Sequence, residues 1–163
     1  MYSKILVPVD GSETSTAGLK EAVRLAKIHG SQLCLLHIVN EFILNYTYAP
    51  GQFSENLFEV LRKGGREILD AAEQIVLAQG IRPTCTMVES IGGVAADLIL
   101  EQARQWHADL IVMGTHGRRG IFRLAMGSDA EQVVRAATIP VMLIRGQAAT
   151  EKPATKPATA TAA

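Results

Sequence analysis

A chain of 163 residues with 48% apolar side chains can bury a sizeable core in one domain without disulfides or metal. The 16 Lys and Arg balance 16 Asp and Glu, which argues against a general nucleic-acid binder, since such a protein needs a strongly basic face. No run of 18 apolar residues is present and Met1-Tyr2-Ser3-Lys4 lacks a signal-peptide layout, so neither a membrane span nor secretion is expected and the expected location is cytoplasmic.

Strand and helix patterns alternate along the chain. Lys4 to Val9 reads as a first strand whose near-continuous apolar character suits a sheet covered on both faces. Ser12 can cap a helix running to about His29, with Leu19, Ala22, Val23 and Ala26 on its apolar face, and Gly30 stops it. Gln32 to Val39 is a second buried strand, and Asn40 to Phe53 reads as a loop punctuated by Pro50-Gly51. Ser54 to Gln79 is a long helix, interrupted at Gly64-Gly65, where a kink is expected.

Pro83 to Val88 forms the third strand and Val94 to Trp106 the third helix. Asp109 to Met113 is strand four, Ser128 to Ala137 helix four, and Ile139 to Arg145 strand five. Residues 147–163 hold Ala, Thr, Pro and Lys with no large apolar side chain, and read as a disordered tail behind a domain of residues 1–146. Cys34 and Cys85 lie in strand-like runs and read as buried small hydrophobes. Cys34 and His37, three apart on a strand, point to opposite faces and cannot form a metal pair.

Repeated strand–helix units predict a parallel sheet with helices on both faces and right-handed crossovers. Ligands in such sheets bind beyond the carboxyl ends of the strands, where the strand order reverses. One segment at such an end stands out: Gly114-Thr115-His116-Gly117, nine residues, then Gly127-Ser128. Glycines there let backbone approach a phosphate, and the first N–H groups of the following helix point at it. Neither of the two common nucleotide loops is present, neither G-x-x-x-x-G-K-[ST] nor G-x-G-x-x-G after a strand. Ser128-Asp129-Ala130-Glu131 also reads as a capping box, worth about 0.5–2 kcal/mol to the helix on its own.

Arg118, Arg119 and Arg123 can offset phosphate charge, while Ile121, Phe122 and Leu124 pin the loop to the body. Asp10 is either a turn residue or a carboxylate accepting hydrogen bonds from a ribose or from water around a metal. His116 has no obvious catalytic partner in the sequence, and no catalytic residue is assigned.

On these residues the sequence resembles the universal stress proteins. Ile5-Leu6-Val7-Pro8-Val9-Asp10-Gly11-Ser12 carries the likeness at the front. Ala108 to Gly117, Gly127-Ser128, Ala130-Glu131 and Ile139-Pro140-Val141 carry it at the back. The intact G-x2-G-x9-G-[ST] spacing is similar to that of the family's ATP-binding branch. The resemblance implies an α/β fold, an open five-stranded parallel sheet of order 3-2-1-4-5 with helices on both faces, Rossmann-like. It implies a homodimer paired through the last strand, and a regulator of stress response with at most slow ATP hydrolysis.

The resemblance also carries the site over by position. Pro8, Val9 and Asp10 match residues lining the adenosine, and Val39 matches one whose backbone reads the adenine. Met113 and Gly114 match residues beside the ribose, and Gly117, Gly127 and Ser128 the phosphate cradle. The next residue faces the phosphates through its N–H; here it is Asp129, where the family commonly has a small apolar residue. That carboxylate favours AMP or a magnesium-bridged complex, with Mg held through the phosphates. The rival reading is an enzyme on the same fold, a nucleotide hydrolase or phosphotransferase using His116 or Asp10.

Overall fold

The computed structural model describes residues 1–40, 55–90, 93–117 and 126–145. Strands and helices alternate through them: β1 (Lys4–Pro8), α1 (Glu13–His29), β2 (Gln32–Asn40), α2 (Glu55–Leu77), β3 (Thr84–Ser90), α3 (Ala95–Gln105), β4 (Leu110–Gly114), α4 (Ser128–Ala136) and β5 (Val141–Ile144). All strand pairs are parallel, in the order β3-β2-β1-β4-β5. The expected fold class and strand order are the ones observed. The chain winds outward from β1 to β3, crosses back to β4, and continues to β5, so the order reverses between β1 and β4.

That reversal divides the core in two. Ile5, Val7, Val9, Leu33 and Leu35 face α1 and α2, while Leu6, Cys34, Leu36, Ile111 and Met113 face α3 and α4. Alternate side chains of one strand therefore enter opposite layers, as the period of two requires. Fully burying a Leu or Ile contributes about 1.5–3 kcal/mol, which is why the central strands read as unbroken apolar runs.

Local signals set most of the boundaries. Ser12 caps α1, its Oγ accepting from Ser15 N at 3.1 Å, and Gly30 ends it in the left-handed region at φ 70°. Asn40 closes β2 rather than opening a loop.

Three expectations are corrected. First, α2 runs unbroken through Gly64-Gly65. A Cβ on Gly65 would lie 2.9 Å from His37 Cδ2 and 3.0 Å from Val39 Cγ2, so this glycine lets the helix lie close on β2 instead of breaking it. Second, Cys34 is buried but Cys85 is exposed, because β3 is a sheet edge. Burial pushes the Cys34 thiol up; partial burial, with the Glu73 carboxylate beside it, pushes Cys85 up to about 11, so neither is an activated nucleophile. Third, the Ser128–Glu131 capping box does not form. The N-cap is Gly127 with no side-chain cap bond, and Glu131 turns forward to Arg135 at 2.6 Å.

The expected loop from residue 41 to Phe53, the arginines 118, 119 and 123 with their apolar neighbours, and the tail 147–163 lie outside the described residues. Among the described residues no helix is long and apolar enough to cross a membrane.

Candidate functional site

β1 and β4 end side by side where the strand order reverses; Pro8, Val9, Asp10, Met113, Gly114 and Gly117 lie at their ends, and Val39 at the end of the neighbouring β2. Pro8 is the last residue of β1, and Asp10 begins the turn into α1. The Asp10 carboxylate closes that turn: Oδ1 accepts from Ser12 N at 2.9 Å and from Ser12 Oγ at 2.6 Å. The turn reading of Asp10 is therefore realised, and it leaves the carboxylate at the crevice. Its Oδ2 faces Gly117, where an added Cβ would sit only 2.7 Å away.

The other loop glycines also meet protein. A Cβ on Gly114 would lie 2.8 Å from the Thr14 carbonyl carbon, and one on Gly18 would lie 3.3 Å from that of Met113. These two glycines let the first turns of α1 lie against the end of β4. Gly127 returns the excursion to its start: its N–H donates to the Thr115 carbonyl at 2.9 Å, and an added Cβ would lie 3.2 Å from that oxygen. Thr115 N–H in turn donates to Ile144 at the end of β5 at 2.9 Å. The glycine spacing thus has a packing reason at each position, and these contacts bring the start of α4 back to the crevice.

α4 begins there with Ser128 and Asp129, both exposed. The first N–H groups of any α-helix lack intrahelical partners, and here no capping side chain supplies one. Their partial positive charge, with a glycine before them, suits an anion; Asp129 in the same turn adds a negative charge. A phosphate fits this donor set.

Val9 and Val39 are 5% and 6% exposed, so what they can offer a ligand is backbone at the strand ends. Met113 is buried in the layer beneath α3 and α4. Beside β1, on the α1–α2 side, opens a cleft of about 370 Å³ walled by Val9, Gly11, Thr16, Ile68 and Ile75.

Two residues that sequence reasoning missed tie the site together. Thr14 Oγ1 donates to the His116 carbonyl across 102 positions of sequence, and Thr115 Oγ1 lies 2.9 Å from His116 Nδ1. Small polar residues at strand and helix ends were the available signal, but it does not say which distant loop they meet. A third missed residue, His37, is buried, with Nδ1 2.7 Å from the Val9 carbonyl oxygen.

Solved structures share this doubly wound α/β architecture. A universal stress protein family structure from Burkholderia pseudomallei aligns with TM-score 0.71 and 33% identity, over 88% of this chain and 96% of its own. By sequence, universal stress protein MJ0531 of Methanocaldococcus jannaschii is 34% identical over 89% of this chain and 83% of its own length. YxiE of Bacillus subtilis is 30% identical over 89% and 100%. The universal stress protein family matches residues 1–145, and the chain belongs to that family. More distant structures of the same fold include universal stress proteins in complex with dAMP, from Archaeoglobus fulgidus, and with cAMP, at 24% and 21% identity and TM-scores of 0.64 and 0.63. A family protein from Arabidopsis thaliana with AMP bound is 17% identical, TM-score 0.64.

Proposed function

We propose that this protein is an adenine-nucleotide-binding regulator of stress response, with ATP as ligand and AMP or ADP as alternatives. The observation that carries the reading is the start of α4: a glycine N-cap, no side-chain cap, and a first turn brought back to the β1–β4 crevice. The bound adenine nucleotides of the related structures support the same ligand class. Pro8, Val9, Asp10 and Val39 line the adenosine side, Met113 and Gly114 the ribose, and Gly117, Gly127, Ser128 and Asp129 the phosphates. Mg reaches the site through the phosphates and relieves the repulsion from Asp129.

Residues 1–146 act as one domain, cytoplasmic, with residues 147–163 as an appended tail. A homodimer forms through β5. The support is its place at the sheet edge and its four apolar residues, each only half-buried in the monomer. Any hydrolysis is slow and incidental to a binding role.

Calorimetry with ATP and AMP, in magnesium and in EDTA, tests the nucleotide reading. Saturable binding of either supports it; no heat with both nucleotides, in both buffers, removes it. Light scattering at micromolar concentration tests the dimer, and a monomer alone contradicts it.

A further inference from the structure

We infer that His37 is a positioning residue for nucleotide binding: its imidazole fixes the Val9–Asp10 peptide at the adenosine side of the site. The inference rests on the nucleotide reading above. The β1–β2 register runs to Pro8 opposite Leu36, and Val9 N–H still donates to the Leu36 carbonyl at 2.8 Å. The Val9 carbonyl, one atom group further on, is bonded by a side chain, His37 Nδ1 at 2.7 Å. A carbonyl can only accept, so Nδ1 carries a proton and donates it to Val9.

The other side of the same peptide is also held. Asp10 N–H donates to Ser15 Oγ at 3.4 Å, and the Asp10 carboxylate is closed onto Ser12. The peptide plane between two proposed adenosine-lining residues is thereby set by His37 from β2 and Ser15 from α1. The ring has little freedom to tilt. Gly65 of α2 lies against it so closely that an added Cβ would be 2.9 Å from Cδ2 and 3.2 Å from Nε2. The same glycine abuts Val39, two residues along β2 and on the same face. One contact between α2 and β2 therefore seats both the residue that orients Val9–Asp10 and the residue proposed to read the base.

A merely structural role would show as stability lost in an apolar replacement, with nucleotide affinity unchanged. A positioning role needs a donor where Nδ1 stands. Asparagine places its amide nitrogen near that point, whereas leucine fills the space and leaves the Val9 carbonyl unsatisfied.

The test combines a spectroscopic signature with a rescue. Imidazole ¹⁵N shifts of the nucleotide-free wild type should report His37 with Nδ1 protonated. AMP titrations of wild type, His37→Leu and His37→Asn should show about tenfold weaker binding for leucine, where the Val9–Asp10 peptide is free to turn away from the site, and wild-type-like binding for asparagine. Melting temperatures of the three proteins separate folding from affinity. An Nε2–H tautomer, equal AMP affinity in all three, or equal weakening in both variants overturns the positioning role while leaving the nucleotide reading intact. No AMP or ATP binding by the wild type overturns both.

Discussion

Of the helices that start at the carboxyl edge of this sheet, α1 and α4 flank the β1–β4 crevice, and they treat their first N–H groups differently. α1 closes its own end: Ser12 Oγ accepts from Ser15 N, and Ser12 also holds the Asp10 carboxylate. α4 begins after Gly127 with no side-chain cap, and the Ser128 hydroxyl is already inside the helix. The two termini lie close together, because Thr14 bonds the His116 carbonyl and Gly127 bonds Thr115. A capped end completes the fold, whereas an end without a side-chain cap beside it can take a ligand. On the proposed nucleotide reading, one terminus serves stability and the other affinity.

The largest effect is expected where both termini depend on one residue. Gly114→Ala puts a Cβ 2.8 Å from the Thr14 carbonyl carbon, so α1 must shift off β4. Overpacking of this kind costs about 1–3 kcal/mol, and more when backbone is the obstacle. Denaturant unfolding should show that loss, and nucleotide affinity should fall with it.

Gly127→Val acts on α4 alone. Its side chain crowds the Thr115 carbonyl and the approach to the first turn. Calorimetry should give at least about tenfold weaker ATP binding, about 1.4 kcal/mol. Ser12→Ala is the counterpart at α1. Loss of the cap should cost about 0.5–2 kcal/mol of stability. Affinity should change little, because the Ser12 N–H still holds Asp10 Oδ1. A Ser12→Ala protein that lost affinity but no stability would reverse the assignment.

Asp129→Val gives the smallest effect. Two unit charges about 4 Å apart interact by about 1 kcal/mol in water, so ATP binding in EDTA should tighten about fivefold. The gain should shrink in magnesium, where the cation already screens the pair. Unchanged affinity in EDTA would mean that the carboxylate points away from the phosphates.

The sheet was legible in the sequence because its central strands are buried on both faces. Ile5-Leu6-Val7 and Leu110-Ile111-Val112 are short unbroken apolar runs between turn signals, the pattern of covered parallel strands. The α1 cap was legible because Ser12, Ser15 and Asp10 are neighbours in sequence. The α4 start misled for the opposite reason. Ser128 to Glu131 carries capping-box residue types, yet the tertiary bond from Gly127 to Thr115 shifts the cap one residue earlier and Glu131 pairs with Arg135. His37 was passed over because a strand histidine gives no sign of the carbonyl it meets 28 positions away. Gly64-Gly65 read as a break because propensity says nothing of the β2 surface that Gly65 fits. Local chemistry was readable, and contacts between distant segments were not.

The most direct test of the central claim follows backbone amides by NMR while AMP, then ATP, is added to uniformly ¹⁵N-labelled protein. The account predicts saturable shifts at Gly127, Ser128, Asp129 and Ala130, larger with ATP than with AMP, while the Ser15 amide at the capped end of α1 moves little. Saturable shifts centred on the start of α1, or none at the start of α4, would contradict it.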